Sequence, residues 1–511
     1  MQYFMAIDAG TGSGRAVLFD ETGAEIGASG QEWWHASDPR YPGSMDFDTA
    51  GNWAALARCC REVIATTSVD PKDIKAVSAT AMREAFVLHD ESGAEIWACA
   101  NVDARADAEV RALKAGHPGL EEDIYARSGQ TYALGALPRL IWLRTHMPEV
   151  LDRARALTML SDWVLYRLSG ELTSEPSNAG TTGLIGLKDR KPLSDALETV
   201  GLPMDLFPRS VHTGEPIGHV HDAAAEATGL APGTLVVAGG GDCQTGALGL
   251  GVVQDGDCAV LGGTFWQQVV NVPLTLTDPT MNLRINPHVV PDLNQAEAIS
   301  FFTGAVMRWF RDAFGQGKGY TELEAASKDV PPGAHGIIPI FSDVMRYGEW
   351  FHAAPSLLNL SIDPTASGPA AIFRALQENA AIVAHRNLQA VFDLTGKRPD
   401  RIVFAGGASR SPHWAQILAD VTGLTVATPR VKEATAQGCA AAAATGAGLF
   451  ATLQEAGAAW SAIEREFTPN TALKDMYDDA GDRWAKAYAL QRALVASGVT
   501  TSMWQAPGTQ L

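Results

Sequence analysis

The sequence predicts an α/β protein built as two related domains, on three observations. Apolar strands run into glycine-rich loops at several separate places, each an extended segment followed by small residues. The first such loop (residues 10–14) and the next (239–241) lie about half a chain apart, which divides the protein near residue 250 into segments 1–250 and 251–511. The length, 511 residues, would hold two to four domains at roughly 150 residues each, and no short-period repeat subdivides it further.

The elements follow in order. Residues 3–8 are apolar and extended, residues 10–14 are glycine-rich, and residues 16–20 are apolar again. A turn at residues 21–24 leads into a third strand, so the first glycine loop is the tip of a hairpin. Residues 52–66 have helical periodicity, with Trp53, Leu56, Cys60 and Val63 on one face. Residues 76–80 return as a strand. A stretch rich in Pro and Gly, 202–232, closes the first half. Strands at 235–238, 258–261 and 401–405 then run into Gly239-Gly240-Gly241-Asp242, Gly262-Gly263-Thr264 and Gly406-Gly407-Ala408-Ser409. Residues 434–454 carry no charge, but they are mostly Ala, Gly and Thr, a content that barely favours lipid. A buried, closely packed helix is the better reading.

Composition bounds the function. Lys and Arg number 39 against 58 Asp and Glu, a formal net charge of −19, which disfavours nucleic acid and anionic membrane as partners. At 46% hydrophobic and 19% charged residues the chain has the content of a globular core. The six cysteines form no C-x-x-C pair and have no His at finger spacing, so a structural zinc site is not expected. Scattered cysteines indicate a reduced, cytoplasmic protein. The amino terminus has no cationic segment and meets an acid at Asp8, which reads as a strand and not as a signal peptide.

Three nucleotide readings compete for residues 8–15. A P-loop requires a Lys that is absent here. A dinucleotide fingerprint requires the glycines to open a helix, whereas these open a strand. A hairpin whose backbone N–H groups face phosphate oxygens, with Asp8 beside them for Mg²⁺, fits the pattern; a plain turn with a capping Asp is the alternative. The set favours phosphate chemistry. Asp242 is a second strand-end carboxylate, and two more small loops accompany it. One acid can hold hydrated Mg²⁺ while the other takes a proton from an acceptor hydroxyl.

As a set these residues resemble the FGGY carbohydrate kinases, of the actin/hexokinase/Hsp70 superfamily. Asp8-Ala9-Gly10-Thr11-Gly12-Ser13-Gly14-Arg15 resembles their first phosphate hairpin, Gly239-Gly240-Gly241-Asp242 the segment with the catalytic base, and Gly262-Gly263-Thr264 the second phosphate loop. Phe404-Ala405-Gly406-Gly407-Ala408-Ser409 resembles the adenosine loop, and residues 433–440 a late signature helix; the order Asp162-Trp163 to Ser177-Asn178 is also kept. The resemblance covers nearly the whole chain. It implies two actin-like (ribonuclease H-like) ATPase domains with an interdomain cleft, and an ATP- and Mg²⁺-dependent phosphotransferase acting on an alcohol.

The resemblance also implies roles. Asp242 is the general base. Asp8 and Asp242 serve Mg²⁺ through water. Thr11, Gly12, Arg15, Gly263 and Thr264 face phosphates, and Gly304, Arg308, Gly406, Gly407 and Ser411 surround the nucleotide. Arg83, Glu84, Asn101 and Asp242 contact the acceptor. Asn101, Leu134 and Cys243 depart from the residues that glycerol kinases carry, which argues against glycerol. Idiosyncratic strings such as Pro42-Gly43-Ser44-Met45, Leu261-Gly262-Gly263-Thr264-Phe265-Trp266 and His352-Ala353-Ala354-Pro355-Ser356 are similar to members acting on a linear five-carbon signal, 4,5-dihydroxy-2,3-pentanedione, at its terminal C5 hydroxyl. Xylulose, ribulose or glycerol as acceptor is the alternative within enzymes, and a non-catalytic actin-like nucleotide-dependent binder the alternative outside them. A homodimer and a sugar-uptake phosphocarrier regulator stay open as partners.

Several residues carry bland readings too. Trp33-Trp34-His35 is either a sugar-stacking edge or strand packing. Asp103 and Arg105 read as an internal pair, His288 and His352 as packing residues, and Arg308 equally as a solvated helix charge.

Overall fold

A computed structural model describes residues 1–202, 205–341, 345–431 and 433–509. Strands β1 (Tyr3–Ala9), β2 (Ser13–Asp20) and β3 (Glu25–Glu32) form the antiparallel run that the sequence predicts. Asp8 pairs with Arg15 and Ala9 with Gly14 across the first hairpin. Helix α1 (Thr49–Thr67) begins earlier than its periodicity alone indicates. The Asp48 side chain caps it by accepting from the Gly51 N–H, and Ser68, at φ 55°, ends it. Leu56, Cys60 and Val63 face the core with Cys59, while Trp53 sits half-buried at the margin.

Strand β4 (Ile74–Ala81) lies parallel to β1. Helix α2 (Leu160–Ser169), with its fully buried Trp163, packs on the same sheet. Strands β5 (Pro216–His219) and β6 (Leu235–Gly241) complete the order β5-β6-β4-β1-β2-β3. The parallel strands β1, β4 and β6 all end at one edge: Asp8 is in register with Thr80, and Gly241 with Ala81. Ligands of α/β sheets bind beyond such carboxyl ends, and Asp8, Arg83 and Asp242 emerge there together. Helix α3 (Asp242–Gly249) starts at the acid itself.

A second sheet repeats the plan. Strands β7 (Cys258–Gly262), β8 (Trp266–Pro273), β9 (Arg284–Pro287) and β10 (Leu293–Ser300) are antiparallel neighbours. Helices α4 (Thr303–Phe314) and α5 (Pro369–Thr395) follow. Strand β11 (Arg401–Ala405) lies parallel to β7 and leads, through residues 406–411, to helix α6 (Pro412–Thr422). Strands β12 (Thr425–Pro429) and β13 (Ile463–Phe467) close the order β9-β10-β8-β7-β11-β12-β13.

The uncharged stretch over 434–454 is not one helix. Helix α7 (Ala434–Gly446) stops where the chain turns through Gly448 at φ 84°. Residues 436–444 are buried, packed on β1, β4 and α3. Small residues are required there, because a Cβ on Gly438 would lie 1.8 Å from the Thr245 carbonyl oxygen of α3. Among the described residues no helix is long and apolar enough to cross a membrane.

Candidate active site

Asp242 is the first residue of α3, at the end of β6. Its Oδ1 accepts from the Cys243 N–H at 2.7 Å and lies 3.5 Å from Arg83 Nε. Although 39% of the side chain is exposed, desolvation outweighs the Arg83 charge and raises its pKa to about 6. That is a suitable range for a general base.

Arg83 and Glu84 follow β4 and are both buried. Neither is the surface ion pair that their adjacency would allow. Arg83 donates to both carboxylate oxygens of Glu297 on β10, at 2.5 and 2.8 Å. Burial opposes the charge of each partner, but their mutual attraction wins: Arg83 is held above its ordinary range and the Glu297 carboxyl below it. Glu84 has φ 62°, an unusual conformation for a non-glycine residue. Three bonds hold it there. Its N–H donates to Thr181 Oγ1, its carbonyl accepts from Arg139, and its carboxylate pairs with Arg284 of β9. Arg284 also donates to Gln130 Oε1 at 2.8 Å, Gln130 donates to Asn286 Oδ1 at 3.0 Å, and Asn286 donates to Glu297 at 3.2 Å. A ring of side chains thus joins Arg83 and Glu84 through the second sheet.

Asp8 ends β1. Burial first, and the Asp242 charge next, raise its pKa to about 7. Its Oδ1 is buried without a hydrogen-bond partner. The adjacent hairpin tip is open, with Thr11, Gly12 and Arg15 exposed. Trp33 lies beneath it, its indole N–H shared between the Gly10 and Thr11 carbonyls, and a Cβ on Gly14 would stand 2.4 Å from the Trp33 ring. Trp33 is therefore packing, whereas Trp34 next to it is 85% exposed. Asn101 donates to Thr11 Oγ1 at 2.9 Å, which ties that residue to the first hairpin, and its Oδ1 is buried without a partner. Arg15 is engaged by Glu433, just before α7, at 2.9 Å.

A cavity of about 790 Å³ lies between β7, α4, α5 and the residues before α6. Gly263, Thr264, Gly304, Arg308, Gly407 and Ser411 all line it. Gly406, at φ 89°, adjoins it; a Cβ there would press 2.8 Å from the Gly262 carbonyl oxygen. The sequence-derived site thus forms two groups. Asp8, Arg83, Glu84 and Asp242 gather at the carboxyl edge of the first sheet, with Thr11, Gly12, Arg15 and Asn101 around the hairpin beside it. The loops of the second sheet line the large cavity, and none of the first group does.

Other residues resolve simply. Arg105 donates to Asp103 at 2.8 Å, an internal pair. His288 accepts from the Val290 N–H, and His352 stacks on Trp504. Glu297, Arg284, Gln130 and Asn286 escaped the sequence reading. The one local signal was an acid flanked by alanines in residues 293–300, a strand otherwise suited to burial.

The comparisons agree along the whole chain. Residues 3–249 match the N-terminal domain model of the FGGY family of carbohydrate kinases, and residues 269–447 the C-terminal one. The autoinducer-2 kinase of Salmonella paratyphi A is 52% identical, over 99% of this chain and 98% of the relative. That of Klebsiella pneumoniae is 50% identical, over 100% and 98%. The xylulose kinase structure from Rhodospirillum rubrum superposes with a TM-score of 0.85 at 25% identity, covering 97% of this chain and 100% of the other.

Proposed function

The chain belongs to the FGGY family of carbohydrate kinases, and we propose that it phosphorylates autoinducer-2. It has the family's two-domain, actin-like architecture and is a phosphotransferase acting on an alcohol group. In the proposed reaction the γ-phosphoryl of ATP passes to the terminal C5 hydroxyl of linear 4,5-dihydroxy-2,3-pentanedione, giving phospho-autoinducer-2 and ADP. The observation that carries the acceptor is the full-length similarity to the autoinducer-2 kinases.

In this reading residues 1–250 bind the acceptor and present the hairpin, and residues 251–511 hold the nucleotide. Asp242 is the general base and takes the hydroxyl proton as the oxygen attacks. Arg83, Glu84 and Asn101 orient the acceptor, while Thr11, Gly12, Arg15, Gly263 and Thr264 receive the phosphates. The nucleoside fills the cavity of Gly304, Arg308, Gly407 and Ser411, next to Gly406. The ring pairs Arg83 with Glu297 and Arg284 with Glu84, acid against base, which suits an uncharged polyol or ketone.

Asp8 fits a hydrated divalent cation, since its buried Oδ1 has no protein partner and its ionised form is destabilised where it stands. Asp8 and Asp242 would hold Mg²⁺ through water, and the ion would offset the phosphate charge. The use of ATP supports a cytoplasmic reaction. The test is ADP release with synthetic dihydroxypentanedione beside xylulose, ribulose and glycerol. A clear preference for the pentanedione supports the reading, and a preference for any of the others rejects it.

A further inference from the structure

We propose that Glu297, contributed by the second sheet, positions the Arg83 guanidinium in the acceptor pocket. The inference rests on the reading of that pocket given above and adds a residue to it. The side chain of Glu297 is fully buried and lies in the middle of β10, between Ala296 and Ala298. A lone carboxylate in such a strand is costly unless charge and hydrogen bonds compensate it. Here both oxygens receive a guanidinium N–H, and Asn286 adds a third bond.

The geometry has a consequence for Arg83. Its two terminal nitrogens are committed to Glu297, so the edge left for the pocket is Nε, 3.5 Å from Asp242. A bidentate pair fixes the plane of a guanidinium as well as its position. Without Glu297, the paired nitrogens are released and Asp242 is the carboxylate left within 3.5 Å of the guanidinium. A buried cation left unpaired would be driven that way. The base would then be engaged by Arg83 in the place where an acceptor hydroxyl must sit. Glu297 therefore acts through Arg83 and need not touch the acceptor.

The test is a double-mutant cycle with Glu297→Gln and Arg83→Met, measuring KM for dihydroxypentanedione, KM for ATP, kcat and thermal unfolding. Gln preserves the shape of the side chain but gives up the charge and one acceptor oxygen. Glu297→Gln is expected to raise the acceptor KM about tenfold or more, with the ATP KM within about twofold. Arg83→Met should raise it at least as much, and the double variant should be no worse than Arg83→Met. Glu297→Asp, which retains the charge, should recover part of the loss and serves as the folded comparison if the Gln variant is unstable. An unchanged acceptor KM in Glu297→Gln, or additive effects in the double variant, would overturn the role of Glu297. An unchanged acceptor KM in Arg83→Met would instead overturn the reading of the pocket itself.

Discussion

Gly438 of α7 lies so close to Thr245 of α3 that a Cβ on the glycine would stand 1.8 Å from the threonine carbonyl oxygen. The contact is reciprocal, since a Cβ on Gly249 of α3 would stand 2.0 Å from the Ala434 carbonyl oxygen. Two backbones thus cross at the distance only glycine allows, and α3 begins with Asp242. The helix that begins with Asp242, the proposed base, is located by this crossing.

Gly438→Ala is accordingly expected to destabilise the fold by about 1–3 kcal/mol, the range for overpacking a core. Gly116→Ala is the matched control, because a Cβ at Gly116 meets nothing within 4 Å. Thermal unfolding of the two variants should separate them, and equal melting temperatures would remove the crossing as a constraint.

Asp242→Asn keeps the size of the side chain and removes its ability to accept a proton. Turnover should fall about a thousandfold or more, while nucleotide binding by calorimetry stays near that of the parent. Near-normal kcat in this variant would reject Asp242 as the base.

The nucleotide side can be tested separately. Gly304 at the start of α4 abuts the proposed phosphate loop, where a Cβ would lie 2.3 Å from the Gly263 carbonyl oxygen. Gly304→Ala must push residues 263–264 aside. The expected result is an ATP KM raised about tenfold with little change in the acceptor KM. A shift in the acceptor KM alone would mean that the loop serves the wrong substrate.

These residues differ in how visible they were beforehand. Asp8 and Asp242 stand at the ends of apolar strands next to glycine loops, a pattern that short windows of sequence reveal. The α/β class and the first hairpin follow from the same local signals. Glu297 and Arg284 do not, because their partners are 214 and 200 residues away. Nothing within residues 284–300 states that a loop after β4 will dock there. The end of α7 is hidden from the sequence for another reason. Absence of charge marks burial, but it does not mark where a helix stops, and Gly448 decides that through its left-handed backbone.

Acid should weaken the protein through His288. Burial, with the Arg190 charge, lowers its pKa to about 3, and Nδ1 accepts from the Val290 N–H. A depressed folded-state value means that the neutral ring's stabilisation is present in full above the unfolded value of about 6.5. It is lost progressively as pH falls from there toward 3, at up to about 1.4 kcal/mol per pH unit. His288→Asn keeps an acceptor but cannot titrate. Denaturant unfolding across pH 4–7 should show a shallower loss in the variant, and identical slopes would dismiss the histidine as a cause.

Arg15 is the proposed cation for nucleotide phosphates at the first hairpin, and in this structure its partner is Glu433. The pair is exposed, 46% for Arg15 and 34% for Glu433, so it adds little to stability. Its weight falls on the site. Asp8 is influenced by both charges in opposite senses, Arg15 lowering its pKa and Glu433 raising it. In the proposed site a nucleotide phosphate approaching the hairpin would compete with Glu433 for Arg15, in a protein whose net charge is −19. Glu433→Gln removes the competitor's charge and leaves its shape. The ATP KM should fall about two- to threefold at low ionic strength, and the gain should vanish above about 0.5 M salt, where the charges are screened. The melting temperature should barely move. An ATP KM unchanged at low salt would show that Arg15 takes no part in receiving the phosphates.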